Sequence, residues 1–187
     1  EVLKRDDELG EMGRNAVRMQ KSLRELVEED TLTGLNNRRC GEKKLQQTYE
    51  DYAKRGISYC VALGDIDFFK RVNDTYGHDA GDNAIVQIAN AMRQASERRE
   101  VCIRSGGDEF LVFGIAEKES DARSFIRRVE DCLDEYNSRN QWPYQVACSC
   151  GYYVRRASEI NSLEEMVTEA DKLLYMVKAR RRTTRTS

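Results

Sequence analysis

Two short acidic clusters hold the residues of this sequence best suited to do chemistry. The first lies in Arg104-Ser105-Gly106-Gly107-Asp108-Glu109-Phe110. It is flanked by the apolar runs Val101-Cys102-Ile103 and Phe110-Leu111-Val112-Phe113. Apolar runs around a Gly-Gly pair predict a β-hairpin with a glycine-rich turn. Glycine tolerates positive φ and leaves the outer face of the backbone bare. A large ligand then has room to lie on the turn, with Asp108 and Glu109 beside it. Like charges repel on a hairpin, and a bound cation would neutralise them. The second cluster follows the apolar run Tyr59-Cys60-Val61-Ala62-Leu63, which leads into Gly64-Asp65-Ile66-Asp67. Strand alternation puts Asp65 and Asp67 on one face and Ile66 on the other. Acids at the C-terminal end of a buried strand stand where α/β folds place ligands. Hard oxygen donors suit Mg²⁺, which keeps several waters and binds through one or two carboxylates plus substrate phosphates.

The elements that position these clusters follow from composition and periodicity. A chain of 187 residues allows one domain plus an appendage. With 40 % hydrophobic and 34 % charged residues, a packed core coexists with a highly charged surface. The formal net charge of −2 argues against nucleic-acid or membrane-surface partners, which call for a basic field. An anionic ligand would be held by local Lys or Arg and by metal. No apolar run is long enough to cross a bilayer, and no signal-peptide pattern is visible. The chain starts at Glu1 without Met, as expected of a piece of a longer protein. The six cysteines, Cys40, Cys60, Cys102, Cys132, Cys148 and Cys150, form no Cys-x-x-Cys pair. Most of them lie within apolar segments and are expected to be small core residues in a reducing compartment. With His78 the sole histidine, no zinc set is expected.

Residues 1–29 carry Leu9, Met12, Ala16, Met19, Leu23 and Leu26 at alternating spacings of three and four. This heptad seam, flanked by charges, predicts a short dimerising stalk rather than a helix folded onto its own domain. Asn36 or Asn37 caps a helix through about Arg55. A strand over 58–66, a short helix from Phe68 to Tyr76, and a longer helix capped by Asp82 follow. Strands over 100–104 and 109–115 form the hairpin. A helix over 121–138, a strand over 144–154 and a helix over 162–180 complete the chain. The order α-β-α-α-β-β-α-β-α predicts an α+β sandwich with a mixed sheet. The hairpin beside the 58–66 strand would bring Asp65 next to Asp108.

Several long motifs, in this order, resemble the GGDEF domain of the diguanylate cyclases over most of residues 30–182. They are Asp30-Thr31-Leu32-Thr33-Gly34-Leu35-Asn36-Asn37-Arg38-Arg39, Asp65-Ile66-Asp67-Phe68-Phe69-Lys70, Asn73 through Asp82, Arg104 through Phe110, and Ala170-Asp171-Lys172-Leu173-Leu174-Tyr175. The resemblance implies a palm-like, nucleotidyl cyclase-like fold: a central mixed sheet flanked by helices, preceded here by an N-terminal helix. It implies condensation of two GTP into cyclic di-GMP with release of two pyrophosphates, as the output of a signalling protein. It implies two Mg²⁺ per half-site, with Mn²⁺ as the alternative, and two domains facing each other as a homodimer. Asp65, the Ile66 carbonyl and Asp108 become the metal ligands, and Glu109 a metal ligand or the group that activates the 3′-hydroxyl. Phe68, Phe69 and Lys70 open a helix whose N–H groups and dipole favour a triphosphate. Lys178 and Arg182 match the family's phosphate-contacting Lys and Arg. Arg181 stands where the family usually has Gly, and a solvated tail is the other reading of this arginine run, with 183–187 beyond it. Asn73 and Asp82 read guanine, whose N1–H and N2–H₂ edge suits a carboxylate. The alternative function is a catalytically silent GTP-binding domain.

Two departures carry expectations of their own. Glu97 and Glu100 stand where many members of the family have an Arg-x-x-Asp product site, and an acid in place of Arg would repel the product's phosphates. No product inhibition through that site is expected. Asp6 through Met12 resembles the last helix of a HAMP-type signalling linker. That implies an upstream sensor domain in a membrane-anchored receptor, with this chain as its cytoplasmic output and no membrane contact of its own. His78 is expected to be a structural hydrogen-bonder in its turn.

Overall fold

The computed structural model describes residues 7–96, 100–139, 142–159 and 161–184. The elements are α1 (Glu8–Glu28), β1 (Asn36–Asn37), α2 (Arg38–Arg55), β2 (Tyr59–Ile66), α3 (Phe69–Tyr76), α4 (His78–Ala95), β3 (Val101–Gly106), β4 (Glu109–Ile115), α5 (Glu119–Arg139), β5 (Cys148–Arg155) and α6 (Leu163–Thr184). Local chemistry sets several of these boundaries. The Asn37 side chain accepts from the Cys40 N–H at 2.9 Å and so caps α2. Gly56, left-handed at φ 63°, ends that helix.

The strands form one sheet in the order β1-β3-β4-β2-β5. β1 runs parallel to β3, and the other pairs are antiparallel, so the sheet is mixed as expected. β1 was not among the expected strands, because two residues show no alternation. Its position is held by the Asn36 amide, which donates to the Cys102 carbonyl at 2.8 Å. β5 begins at Cys148, four residues later than the pattern suggests. The Asn137 side chain satisfies both the N–H and the carbonyl of Val146 at 2.8 Å, so this segment bonds to α5 instead of the sheet. α6 continues to Thr184, beyond the expected end near 180.

Both faces of the sheet are covered. Ile85, Ile88 and Met92 of α4 and Phe125, Val129 and Leu133 of α5 pack with Ala62, Phe110 and Val112. On the opposite face Leu45 of α2 and Met166 of α6 pack with Tyr59, Val61, Ile103 and Phe113. A strand buried on both faces reads as a continuous apolar run, which is how β2 looks in sequence. α6 lies directly on β5 at Gly151. A Cβ there would come within 2.2 Å of the Ala170 carbonyl oxygen and the Leu174 nitrogen, so only glycine permits this approach. That contact brings the later turns of α6 over the C-terminal end of β2.

On α1, Met12 and Met19 of the expected seam are 68 % and 66 % exposed, so that part of the seam does not pack on its own domain. The side chains of Leu9, Leu23 and Leu26 lie outside the described residues. No helix among the described residues is long and apolar enough to cross a membrane.

Candidate active site

Strand register joins the two acidic clusters. Antiparallel pairing of β2 with β4 sets Asp65 directly opposite Glu109. The next amide, Ile66 N–H, donates to the Asp108 carbonyl at 3.3 Å. Carboxylates facing each other across a ladder destabilise it, which is the arrangement a cation would relieve. The turn between β3 and β4 depends on Gly107, whose φ of +47° lies in the left-handed region.

Arg104 braces that turn. Its Nε and Nη2 donate to the Gly107 carbonyl at 3.1 and 2.8 Å. Its Nη1 donates to both carboxylate oxygens of Asp30 at 3.0 and 3.1 Å. Asp30 also accepts from the Thr33 amide at 2.9 Å and the Thr33 hydroxyl at 2.7 Å. The segment after α1 is thus tied to the acidic turn through one guanidinium. Both residues lie within the motifs above, which imply no role for either. A lone Arg ending an apolar strand was the available signal. Burial by itself pushes the Asp30 carboxyl up, but Thr33 and Arg104 together hold it below its ordinary value of 3.8. A depressed acid contributes stability that is present above the ordinary carboxylate range and is lost as pH falls through the folded-state value. Asp30→Ala is therefore expected to lower unfolding stability by roughly 1–3 kcal/mol at neutral pH. In urea titrations the gap to wild type should close in acid. A gap independent of pH would rule out the ion pair as its source.

Two adjoining cavities meet at the acids. One, of about 200 Å³, is lined by Asp65, Ile66, Asp67, Phe68, Phe69, Lys70, Asp108, Lys178 and Arg181. The other, of about 400 Å³, shares Asp65 and Lys178 and adds Glu109, Ser105, Arg38 and an apolar floor that includes Leu63, Ile103 and Leu111. Asp108 thus lines the first cavity and Glu109 the second. Lys178 forms an ion pair with Asp65. Burial pushes the Asp65 carboxyl above its ordinary value, and the Asp108 and Glu109 charges push the same way, while Lys178 pulls against them. Among the described residues, no group of three His, Cys, Asp or Glu side chains that could hold a metal is assembled. The smaller cavity does bring the expected donors to one place, the Asp65 and Asp108 carboxylates and the backbone at Ile66. That set fits a hard cation whose remaining ligands are waters and substrate phosphates.

The helix after β2 differs from expectation at its first residue. Phe68 does not open α3. It is left-handed at φ 58° and is the one non-glycine with positive φ among the described residues. Such a conformation costs roughly 1–3 kcal/mol and concentrates at functional sites. It turns the chain so that α3 starts at Phe69, with no side-chain cap on its first N–H groups. Phe68, Phe69 and Lys70 all line the smaller cavity, at the helix end an anion would favour.

Asn73 and Asp82 line neither of these cavities. Gly81 of α4 leaves room for Asn73: a Cβ there would sit 2.0 Å from the Asn73 Oδ1. The Asn73 amide therefore rests on α4 at Gly81, one residue along the chain from Asp82. Asp82 is not a helix cap, because α4 already begins at His78, with Gly77 before it at φ 86°. It is exposed on the helix surface. His78 makes no side-chain hydrogen bond among the described residues, contrary to expectation.

At the C-terminal end, Arg182 lies within α6, but its side chain is outside the described residues. Arg181 is the member of the run that lines the smaller cavity. Its Nη1 donates to Asp67 Oδ2 at 2.5 Å and to the Cys148 carbonyl at 2.8 Å, and its Nη2 to Glu130 at 3.1 Å. Ser149 Oγ donates to the other Asp67 oxygen at 2.6 Å. Asp67 thus serves this clamp rather than joining Asp65 at a cation. Glu97, Arg98 and Arg99 lie outside the described residues. Glu100 is folded inward against Gly114, 3.8 Å from the Arg128 guanidinium.

Comparison with known proteins agrees with this geometry. A family model described as "Diguanylate cyclase, GGDEF domain" matches residues 27–184. Diguanylate cyclase DgcS of Shewanella oneidensis is 32 % identical over 151 residues, covering 80 % of this chain and 49 % of that protein. The crystal structure of the diguanylate cyclase SiaD from Pseudomonas aeruginosa, in complex with its activator SiaC, aligns at a TM-score of 0.73 with 35 % identity. The alignment covers 92 % of this chain and 68 % of SiaD. The coiled coil and GGDEF domain of DgcB from Caulobacter crescentus, in complex with c-di-GMP, align at 0.75 with 26 % identity, covering 91 % and 92 % of the two chains. The chain spans about half or less of the length of the curated relatives it matches. The palm-like sandwich of these structures is the fold expected from the motifs. On its sequence, its sheet order and its paired acids, this chain belongs to the GGDEF domain family of diguanylate cyclases.

Proposed function

We infer that this chain is a diguanylate cyclase domain that joins two GTP into cyclic di-GMP. The observation that carries the reading is the meeting of Asp65, the Ile66 carbonyl, Asp108 and Glu109 beside Lys178 and the start of α3. In each step the 3′-oxygen of one GTP bonds to the α-phosphorus of the other. The bond from that phosphorus to the pyrophosphate oxygen breaks, and the hydroxyl proton leaves. Asp65, Ile66 and Asp108 would hold Mg²⁺, two per half-site, or Mn²⁺; bound there, the ions offset charge on the attacking and leaving oxygens. Glu109, directly opposite Asp65, activates the 3′-hydroxyl or joins the metal ligands; it lines the larger cavity, which shares Asp65 with the smaller one. Lys178, Lys70 and the N–H groups of Phe69 and Lys70 orient the phosphates. Arg182 remains the resemblance-based phosphate contact. Asn73 and Asp82 select guanine, since adenine would leave the carboxylate facing an acceptor.

Each domain presents one half-site, so the reaction needs a second copy facing the first. Exposed Met12 and Met19 on α1 support a stalk that supplies this pairing. An upstream sensor acting through that stalk, with this domain on the cytoplasmic side of a membrane-anchored receptor, completes the reading. The test is mass spectrometry of nucleotides after incubation with GTP and Mg²⁺ across a range of protein concentration. Cyclic di-GMP formed with more than first-order dependence on protein is expected. GTP bound tightly yet left intact at high protein concentration would instead identify a silent binding domain.

A further inference from the structure

We propose that Arg181 is a positioning residue that sets where Lys178 stands over the phosphate cavity; this rests on the cyclase reading above. Lys178 and Arg181 are three residues apart on α6, on one helix face. Asp65 and Asp67 are two apart at the end of β2. The helix cations meet the strand acids rung by rung, Lys178 on Asp65 and Arg181 on Asp67.

The two rungs differ in kind. Lysine is a point charge on a flexible stem, so its reach follows the helix that carries it. Arginine is a rigid fork, and here both of its terminal nitrogens are engaged. It joins α6 to Asp67 after β2, to the Cys148 carbonyl of β5 and to Glu130 of α5. The Asp67 side chain is only 9 % exposed, and Ser149, itself fully buried, holds its second oxygen. Gly151 fixes α6 on the sheet at Ala170 and Leu174. Arg181 supplies an anchor two turns further on, past Lys178. Lys178 is thereby held between two fixed points. Asp67 and Arg181 line the same cavity, and in this proposal they act through Lys178.

The test is a double-mutant cycle read by calorimetric binding of a non-hydrolysable GTP analogue with Mg²⁺ to the full chain. Arg181→Ala is expected to raise Kd roughly tenfold, as loss of supporting partners around a site does. Arg181→Lys should recover part of the loss. In a Lys178→Ala background the same Arg181→Ala change should have almost no further effect, because its route is gone. Ser149→Ala, a mild change on the strand side of the clamp, provides a second cycle should Arg181→Ala not fold. Equal losses in both backgrounds, or an unchanged Kd in folded Arg181→Ala, would overturn the proposal alone. Absence of nucleotide binding by the wild-type chain, or full affinity in Lys178→Ala, would overturn the cyclase reading and this inference with it.

Discussion

Asp108→Asn is expected to lower cyclic di-GMP formation by roughly 10³-fold, because a metal-organised transition state depends on it by several kcal/mol. Asp108 lines the cavity beside Asp65, and its backbone carbonyl is already committed to Ile66 N–H. Its side chain makes no hydrogen bond or ion pair among the described residues, so the variant should melt at or above the wild-type temperature. Loss of turnover with retained folding separates a ligand from a scaffold residue. Turnover within tenfold of wild type would remove Asp108 from the metal set. The same site makes a pH claim. Burial and the neighbouring acids keep the Asp65 carboxyl above its ordinary value. Only the ionised form ligates a cation well, so in the metal-free chain the acid limb of Mg²⁺ binding should lie at higher pH than a free carboxylate would give. In Lys178→Ala the limb should move higher still, since the ammonium is what draws this pKa down.

Met12→Glu combined with Met19→Glu is expected to reduce turnover at fixed protein concentration by about tenfold or more, with GTP affinity unchanged. Both side chains stand exposed on α1, and neither lines a cavity at the active site. Paired half-sites convert a bimolecular encounter into an effectively intramolecular one, which is where the rate comes from. Charges on a narrow apolar seam repel across it and weaken association. Higher protein concentration should restore much of the activity, and sedimentation should show the monomer. If the variant kept wild-type turnover at low concentration, α1 would not be the pairing device.

Local physics made much of this protein readable from its sequence. Apolar runs ending in acids marked β2 and the hairpin, and helical periodicity marked the buried stripes of α4, α5 and α6. Asn37 was legible as a cap because its partner lies three residues away. A mixed sheet was also expected from the alternation of elements, although its parallel pair comes from β1, which shows no such pattern. What failed locally failed for stated reasons: α4 opens before Asp82 because Gly77 turns the chain there, and Phe68 is held left-handed against its own preference.

The remaining decisions belong to tertiary structure. That Asp65 faces Glu109 depends on register between strands that are distant in sequence. Arg104 reaches Asp30 across 74 residues, and Arg181 reaches Asp67 across 114. No periodicity encodes such pairs, since each depends on how whole elements pack. The close approach of α6 to Gly151 shows the same logic. The sequence determined which residues could do the chemistry, because side-chain type and near-neighbour spacing are local properties. The fold alone decided which of them meet, because burial and strand register are properties of the assembled core.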